Sequence, residues 1–298
     1  LWKGELLNGP AIFILPQNGS VGGVEEYLKH RDQIRAVSFG RGPDAKMIGR
    51  FKDAGILCVP TVGAVKHAQK MVQLGVDMVT VQGGEGGGHT GSVASTILLP
   101  QVLDSVKVPV IAAGGFGDGR GLAAALAYGA VGIAMGTRFL MTRESPIPDV
   151  TKARYVGAGT DDILVSTKVD GLPQRMIKNA LLNRIERSTG LGIWRRAVES
   201  GLQMMRQTGA SFGELFRAAK GMTSHGGLTL PQAMMAASAP MLIQKAVVEG
   251  DPDHGLMATG LVAGRLGDLP SCADLLRDIE RDARARLAAL SSSSSTGA

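Results

Sequence analysis

Six short apolar runs punctuate the first half of the chain: Ala11 to Leu15, Ala36 to Phe39, Ile56 to Pro60, Met78 to Gln82, Val110 to Ala113 and Val131 to Met135. Each is too short for a buried helix and rich in β-branched residues, so each predicts a strand. Between them, Pro43 to Ala54, Ala64 to Leu74 and Gly119 to Tyr128 mix apolar and polar positions at helical spacing. Strand and helix alternating every ~20 to 30 residues predict a parallel sheet with helical crossovers, either an open doubly wound sheet or a barrel.

The glycines bear on that choice. The stretch Val81-Gln82-Gly83-Gly84-Glu85-Gly86-Gly87-Gly88-His89-Thr90-Gly91 carries six glycines in eleven residues, directly after a predicted strand. Backbone of this kind builds no core; it lies close against something flat, and His89 is its one group that titrates near neutral pH. Further clusters, Ala112-Ala113-Gly114-Gly115-Phe116-Gly117-Asp118-Gly119 and Ala134-Met135-Gly136-Thr137-Arg138-Phe139, close two later strands. Strand ends with exposed N–H groups that lead into helix N-termini are natural phosphate cradles, so the three loops together point to one phosphorylated cofactor.

A dinucleotide fold places G-x-G-x-x-G in its first strand-to-helix turn. Here the glycines come late, and a fingerprint beginning at Gly115 would put Arg120 where its third glycine belongs. A (β/α)8 TIM barrel often holds phosphate on the loops after strands seven and eight. If Val110 and Val131 begin those strands, only four precede them. The expectation is therefore an α/β barrel lacking its first two βα units in this chain, which starts at Leu1; a genuine six-stranded open sheet is the alternative.

After Ser145-Pro146-Ile147-Pro148 the alternation stops. We expect residues 1–145 to form the barrel portion, 146–290 a mostly helical lid or C-terminal region, and 291–298, with its run of serines, a disordered tail. Lys178, Arg184, Arg187, Arg195, Arg196, Arg206, Arg217 and Lys220 make the middle of that region basic. They read as a solvated helical face or as a lid that meets phosphates.

Composition narrows the function classes. The 298 residues are 44% hydrophobic and 4% aromatic, ample for a large core. A net charge of +6 without a basic stripe or interleaved aromatics argues against nucleic acid and for small anionic ligands. No apolar run approaches the ~18 residues of a membrane helix, and no leader pattern opens the sequence, so a cytoplasmic protein without membrane partners is expected. Cys58 and Cys272 lie far apart and read as reduced thiols. No metal is expected, because Glu85 and His89 sit four apart in a glycine loop that cannot be a helix. His67, His225 and His254 lack partners at ligand spacing, and Ser92, Ser95 and Thr96 form no nucleophile elbow.

The order and spacing of the glycine loops resemble the nitronate monooxygenase (2-nitropropane dioxygenase) family of FMN-binding TIM barrels, from about Ala36 to Leu140 and more weakly beyond. The resemblance implies FMN contacts at Gln82 and Gly87, phosphate contacts at Gly115, Ala134, Met135, Gly136 and Thr137, and a catalytic role for His89. Gly86 stands where relatives commonly have alanine, and Leu261 where they usually place glutamine. Val169-Asp170-Gly171-Leu172-Pro173 and Asp268-Leu269-Pro270-Ser271-Cys272, with the His89 loop and the Asp118 to Ala125 segment, are similar to an actinobacterial branch linked to breakdown of the last steroid rings as coenzyme A thioesters. Enoyl-thioester reductases of fatty-acid synthesis are a further related group.

The resemblance implies an FMN-dependent oxidoreductase with a small-molecule substrate. The reaction is either redox chemistry on a cyclic acyl-CoA, with NAD(P)H a candidate co-substrate, or oxidation of alkyl nitronates by dioxygen. A non-catalytic flavin-binding fragment is the rival from another class. In the enzyme readings His89 is the acid/base group, against a histidine that only hydrogen-bonds the flavin. Arg175, aimed by the Asp170-Gly171-Leu172-Pro173 turn, is a candidate contact for a CoA diphosphate, against an ordinary turn with an exposed arginine. Apolar positions on the C-terminal helices fit intrachain packing and a homodimer interface equally.

Overall fold

The computed structural model describes residues 11–14, 21–40, 45–188 and 230–293. They divide between two compact units, one drawn from Leu1–Gly84, Gly91–Ala134 and Asp278–Ala298, the other from Glu85–Thr90 and Met135–Arg277.

The first unit holds a six-stranded parallel sheet of β1 (Ala11–Ile14), β2 (Ile34–Phe39), β3 (Leu57–Val62), β4 (Val79–Gln82), β6 (Val110–Ala113) and β7 (Gly132–Ala134), while β5 (Gly88–His89) belongs to the second unit. Helices α1 (Val21–Lys29), α2 (Ala45–Asp53), α3 (Val65–Gln73), α4 (Ser95–Ser105) and α5 (Gly119–Tyr128) alternate with the strands. All six apolar runs form strands, and the spatial order follows the chain without reversal. A doubly wound sheet reverses at a switch point; sequential parallel order with helical crossovers is that of a TIM barrel.

Its core unites the buried strand residues Val37, Cys58, Val79 and Val110 with Ile48 and Phe51 of α2 and Leu98 and Val102 of α4. Full burial of each aliphatic or aromatic side chain here contributes about 1.5–3 kcal/mol before entropy is charged against it. Parallel strands covered on both faces explain why these runs read as nearly continuous apolar sequence.

The second unit holds a three-stranded antiparallel sheet, β5 (Gly88–His89), β9 (Gln174–Ile177) and β8 (Ile163–Ser166) in that spatial order. Among the described residues its helices are α6 (Gly136–Leu140), α7 (Asp149–Val156), α8 (Ala180–Glu186) and α9 (Leu230–Val247), and α10 (Cys272–Ser293) starts here. Its apolar clusters form around Tyr155, Met141 and Met257, and around Met176, Leu182 and Leu256.

The β8–β9 hairpin departs from the mostly helical reading of 146–290. Its four-residue strands are too short for periodicity to reveal, and β9 finds its other partner in the distant glycine loop. The serine tail also departs from expectation. Helix α10 runs through Ser293, where the Ser291 hydroxyl donates back to Leu287 O at 3.0 Å, a bond that lets serine sit inside a helix. Residues 294–298 lie outside the described residues, as do Arg195, Arg196, Arg206, Arg217, Lys220 and His225. Lys178, Arg184 and Arg187 are exposed, as a solvated face requires. Among the described residues no helix is long and apolar enough to cross a membrane.

Candidate active site

The glycine loop owes its shape to a strap of backbone at 258–261. Leu261 N–H donates to Glu85 O at 2.9 Å, Gly260 N–H to Thr137 Oγ1 at 2.8 Å, and Thr259 N–H to Arg175 O at 3.1 Å. The buried Tyr155 hydroxyl fixes the start of the strap by donating to Ala258 O at 2.8 Å. A Cβ on Gly87 would lie 2.5 Å from Gly260 N and closer still to the Thr259 carbonyl carbon. Only glycine lets the strap approach this closely, so intrachain packing already accounts for that residue.

Arg175 is the second fastener. Its Nε donates to Gly86 O at 3.2 Å, and burial pulls its guanidinium pKa down while the Glu85 carboxylate opposes that shift. The arginine expected to reach a substrate diphosphate thus holds the loop that carries His89. Leu261, placed where relatives usually have glutamine, contributes its backbone N–H to Glu85 and packs its side chain against the Tyr155 cluster.

Within the loop, β5 pairs Gly88 with Arg175 and His89 with Gln174. The approach to β9 is a tight turn in which Leu172 N–H donates to Asp170 Oδ1 at 3.1 Å, an Asx arrangement, with Gly171 at φ +81°. Pro173 O accepts from Thr90 N–H at 3.0 Å. Turn and register together bring Asp170 to His89, with His89 Nε2 and Asp170 Oδ2 2.6 Å apart. Gln174 Nε2 donates to the same Oδ2 at 2.5 Å and lies 3.1 Å from His89 Nε2.

Asp170 and Gln174 are 6% and 3% exposed, whereas the His89 side chain keeps 31% of its surface open. Burial works against ionisation of Asp170, but the bonds from His89, Leu172 N–H and Gln174 outweigh it and hold the carboxyl below its ordinary range. A buried carboxylate on one ring nitrogen of a half-open histidine is an arrangement that can hold and transfer a proton.

The other predicted residues fall into two groups. In the first unit the β4–β6–β7 register aligns Gln82 with Ala113 and Ala113 with Ala134, so three strand ends lie side by side. The chain leaves β6 through Gly114 and Gly115, at φ +92° and +86°, a conformation that L side chains rarely adopt. The following helix is capped by Asp118, which accepts from Arg120 N–H at 3.1 Å and Gly121 N–H at 3.2 Å, so two of its leading N–H groups are already bonded within the chain. In the second unit, α6 begins at Gly136 with no side-chain cap, and a Cβ on Gly136 would meet no atom within 4 Å. Thr137 Oγ1, while accepting from Gly260 N–H, keeps its own proton for donation.

The sequence marked the turn from Asp170 through Gln174 to Arg175 for substrate recognition and Leu261 as a departure from relatives, but it joined neither Asp170 nor Gln174 to His89, nor the strap to the glycine loop. The Asp170 turn did stand out there, but its composition identifies a rigid corner and not the histidine it meets.

Comparison with known proteins places this geometry. The family model described as nitronate monooxygenase matches residues 18–282. A (3aS,4S,5R,7aS)-5-hydroxy-7a-methyl-1-oxo-octahydro-1H-indene-4-carboxyl-CoA dehydrogenase of Rhodococcus jostii is 47% identical over 260 residues, which is 87% of this chain and 74% of the relative. The protein of the same name from Mycobacterium tuberculosis is 46% identical over 261 residues, 86% of this chain and 73% of the relative. Among solved structures, FabK from Thermotoga maritima superimposes with a TM-score of 0.72 at 27% identity, covering 96% of this chain and 79% of its own. The chain is an oxidoreductase that belongs to the nitronate monooxygenase family.

Proposed function

We propose that this protein is a flavin-dependent dehydrogenase of a cyclic acyl-CoA, with FMN as its flavin and His89 as the acid/base group. The observation that carries the reading is the half-open His89, set on a short strand in the glycine loop and paired with the buried carboxylate of Asp170. The dehydrogenases at 46% and 47% identity, named for a hydroxylated indane carboxyl-CoA, support that substrate class.

The residues fit a flavin phosphate. A Cβ on Gly136 would stand in open space, with no atom within 4 Å, and Gly114 and Gly115 adopt positive-φ backbone that favours glycine. Within the second unit the amides of Met135, Gly136 and Thr137, with the Thr137 hydroxyl, would hold the phosphate, and Gly87 is a further assigned flavin contact; within the first unit the assigned contacts are Gln82, Gly115 and Ala134. Backbone donors suffice for a dianion because several aligned N–H groups each make a charge-assisted bond. When bound, the flavin supplies two-electron chemistry, accepting a hydride equivalent from carbon.

His89 removes the proton on the carbon next to the thioester carbonyl, the most acidic C–H such a substrate offers, and Asp170 stabilises the resulting imidazolium. The proton is then held on the His89 imidazole, and loss of the hydride equivalent that a bound flavin would accept leaves a carbon–carbon double bond conjugated with the thioester. Proton transfer of this kind is typically worth ~10²- to 10⁴-fold in rate. NAD(P)H is the co-substrate of the same chemistry run in reverse.

The family name favours one second reading, oxidation of alkyl nitronates by dioxygen. An anaerobic visible spectrum of the purified protein separates the two. Bleaching of a bound flavin by a hydroindane carboxyl-CoA or by NADH supports the dehydrogenase, and bleaching by a nitronate alone supports the monooxygenase. Colourless protein that binds no added FMN would overturn both. In the dehydrogenase reading His89→Asn lowers kcat by ~10²-fold or more.

A further inference from the structure

Asp170 lies far from His89 in sequence and is 6% exposed, with every donor that reaches its carboxylate fixed by local structure. Oδ1 takes the Leu172 N–H of the Asx turn, at 3.1 Å. Oδ2 takes the Gln174 amide at 2.5 Å and faces His89 Nε2 at 2.6 Å. A carboxylate is acceptor-only, so an imidazole nitrogen at that distance must bring the proton. In a neutral ring that choice leaves the lone pair on Nδ1.

We propose that Asp170 is the positioning residue of the reaction, fixing His89 in the Nε2–H tautomer so that Nδ1 is the atom exchanging a proton with substrate. This rests on the reading of His89 as acid/base. The turn from Thr167 to Pro173 then supplies the reaction with a tautomer, and Gln174, bonded to the same oxygen, keeps the carboxylate from rotating away.

The geometry also dictates what Asp170→Asn does. Leu172 N–H can only donate, so the asparagine oxygen stays on it, and the new NH₂ group faces His89 Nε2. Gln174 can answer by turning its amide, which brings an oxygen to about the 3.1 Å position beside His89 Nε2, but the NH₂ group in the nearer position, 2.6 Å away, drives Nε2 to accept and its proton to move to Nδ1. The variant keeps the shape of the site and inverts the tautomer, the failure that costs about 10⁴-fold in kcat when the aspartate of a serine-protease triad becomes asparagine.

The test is long-range ¹H–¹⁵N NMR on full-length, histidine-labelled holoprotein, with the His89 signals assigned by their loss in His89→Asn. Wild type is expected to show the Nε2–H tautomer, and Asp170→Asn the Nδ1–H tautomer. In turnover of a hydroindane carboxyl-CoA, Asp170→Asn should lower kcat ~10²- to 10⁴-fold while KM stays within about threefold, a split that a merely structural role would not give. Nδ1–H in wild type overturns the proposal, and so does Asp170→Asn with an unchanged tautomer or an unchanged kcat. The wild-type spectrum stands as a test even if the variant does not fold. Tautomers need no turnover, so the two readings fail separately: a His89→Asn enzyme as fast as wild type would refute the acid/base role whatever the spectra show.

Discussion

Replacing Gly87 with alanine tests whether this glycine answers to the strap or to the cofactor. The added Cβ would lie 2.5 Å from Gly260 N and 2.8 Å from Thr259 O, both main-chain atoms that cannot rotate aside. Normal carbon contacts begin near 3.5 Å, so strap or loop must retreat by about 1 Å. Overpacking of this kind costs about 1–3 kcal/mol. The movement also stretches Leu261 N–H to Glu85 O and Gly260 N–H to Thr137 Oγ1, each worth about 1 kcal/mol. The sum, about 3–5 kcal/mol, lowers the melting midpoint of this unit by roughly 10 °C. The assay is thermal unfolding followed by far-ultraviolet circular dichroism on flavin-free protein, with two control variants. Gly88→Ala meets no atom within 4 Å but takes φ +63°, so it should cost only about 1–2 kcal/mol. Gly136→Ala faces open space and should melt within ~0.5 kcal/mol of wild type while binding its flavin more weakly. A Gly87→Ala protein that melts with wild type and has lost only its flavin would refute the reasoning and return the residue to the cofactor.

Three further outcomes follow from named contacts. Arg138 is 4% exposed with Nε buried and unpaired, and it grips the mostly exposed Asp268 at 2.8 and 3.2 Å. Asp268→Ala, which strands a buried guanidinium, should therefore cost about 2 kcal/mol in urea unfolding, and Arg138→Met should cost less; the reverse order would sink the argument. Burial first, and then the Asp77 carboxylate, push the Cys58 thiol up to about 11. In native protein at neutral pH a thiol reagent should modify Cys272 quickly and Cys58 only on unfolding, so two fast equivalents would contradict the burial. Asp170, depressed in the folded state, contributes stability that is fully present above its unfolded pKa of about 3.9 and lost as pH falls through the lower folded value. Urea midpoints from pH 7 to 2 should fall on that acid limb for wild type and more weakly for Asp170→Asn; identical limbs would mean that the pairing does not stabilise the fold.

Much of the barrel portion was legible because its signals are local. A parallel strand buried on both faces must be an unbroken apolar run, so Val110 to Ala113 announces itself without knowledge of its neighbours. Gly119 to Tyr128 was legible for a related reason: Asp118 caps its start and Gly129, at φ +104°, ends it, so both boundaries are written within the segment. The β8–β9 hairpin offered no such mark. Four residues give two alternations at most, and Met176 is buried by Leu182 and Leu256, which lie elsewhere in the sequence.

The site divides along the same line. His89 was visible because a titratable ring in a run of glycines has few structural uses, and the chemistry of that residue type is carried by the residue itself. Asp170 was invisible as its partner because the pairing needs three separate things to hold: the Asx turn at Leu172, the β5–β9 register, and Gln174 one register step from the turn. Any one of them reads as ordinary local structure. Arg175 shows the converse case. An arginine beside a rigid corner looks like a ligand contact, and nothing in the sequence says that its Nε–H is bonded to Gly86 O, on the loop that carries His89. A sequence can name a group able to carry chemistry, but the side chain that lies beside it is chosen by register. Slipping β5 by one residue against β9 would turn His89 to the opposite face of the strand and away from Asp170, with every residue of the motif unchanged.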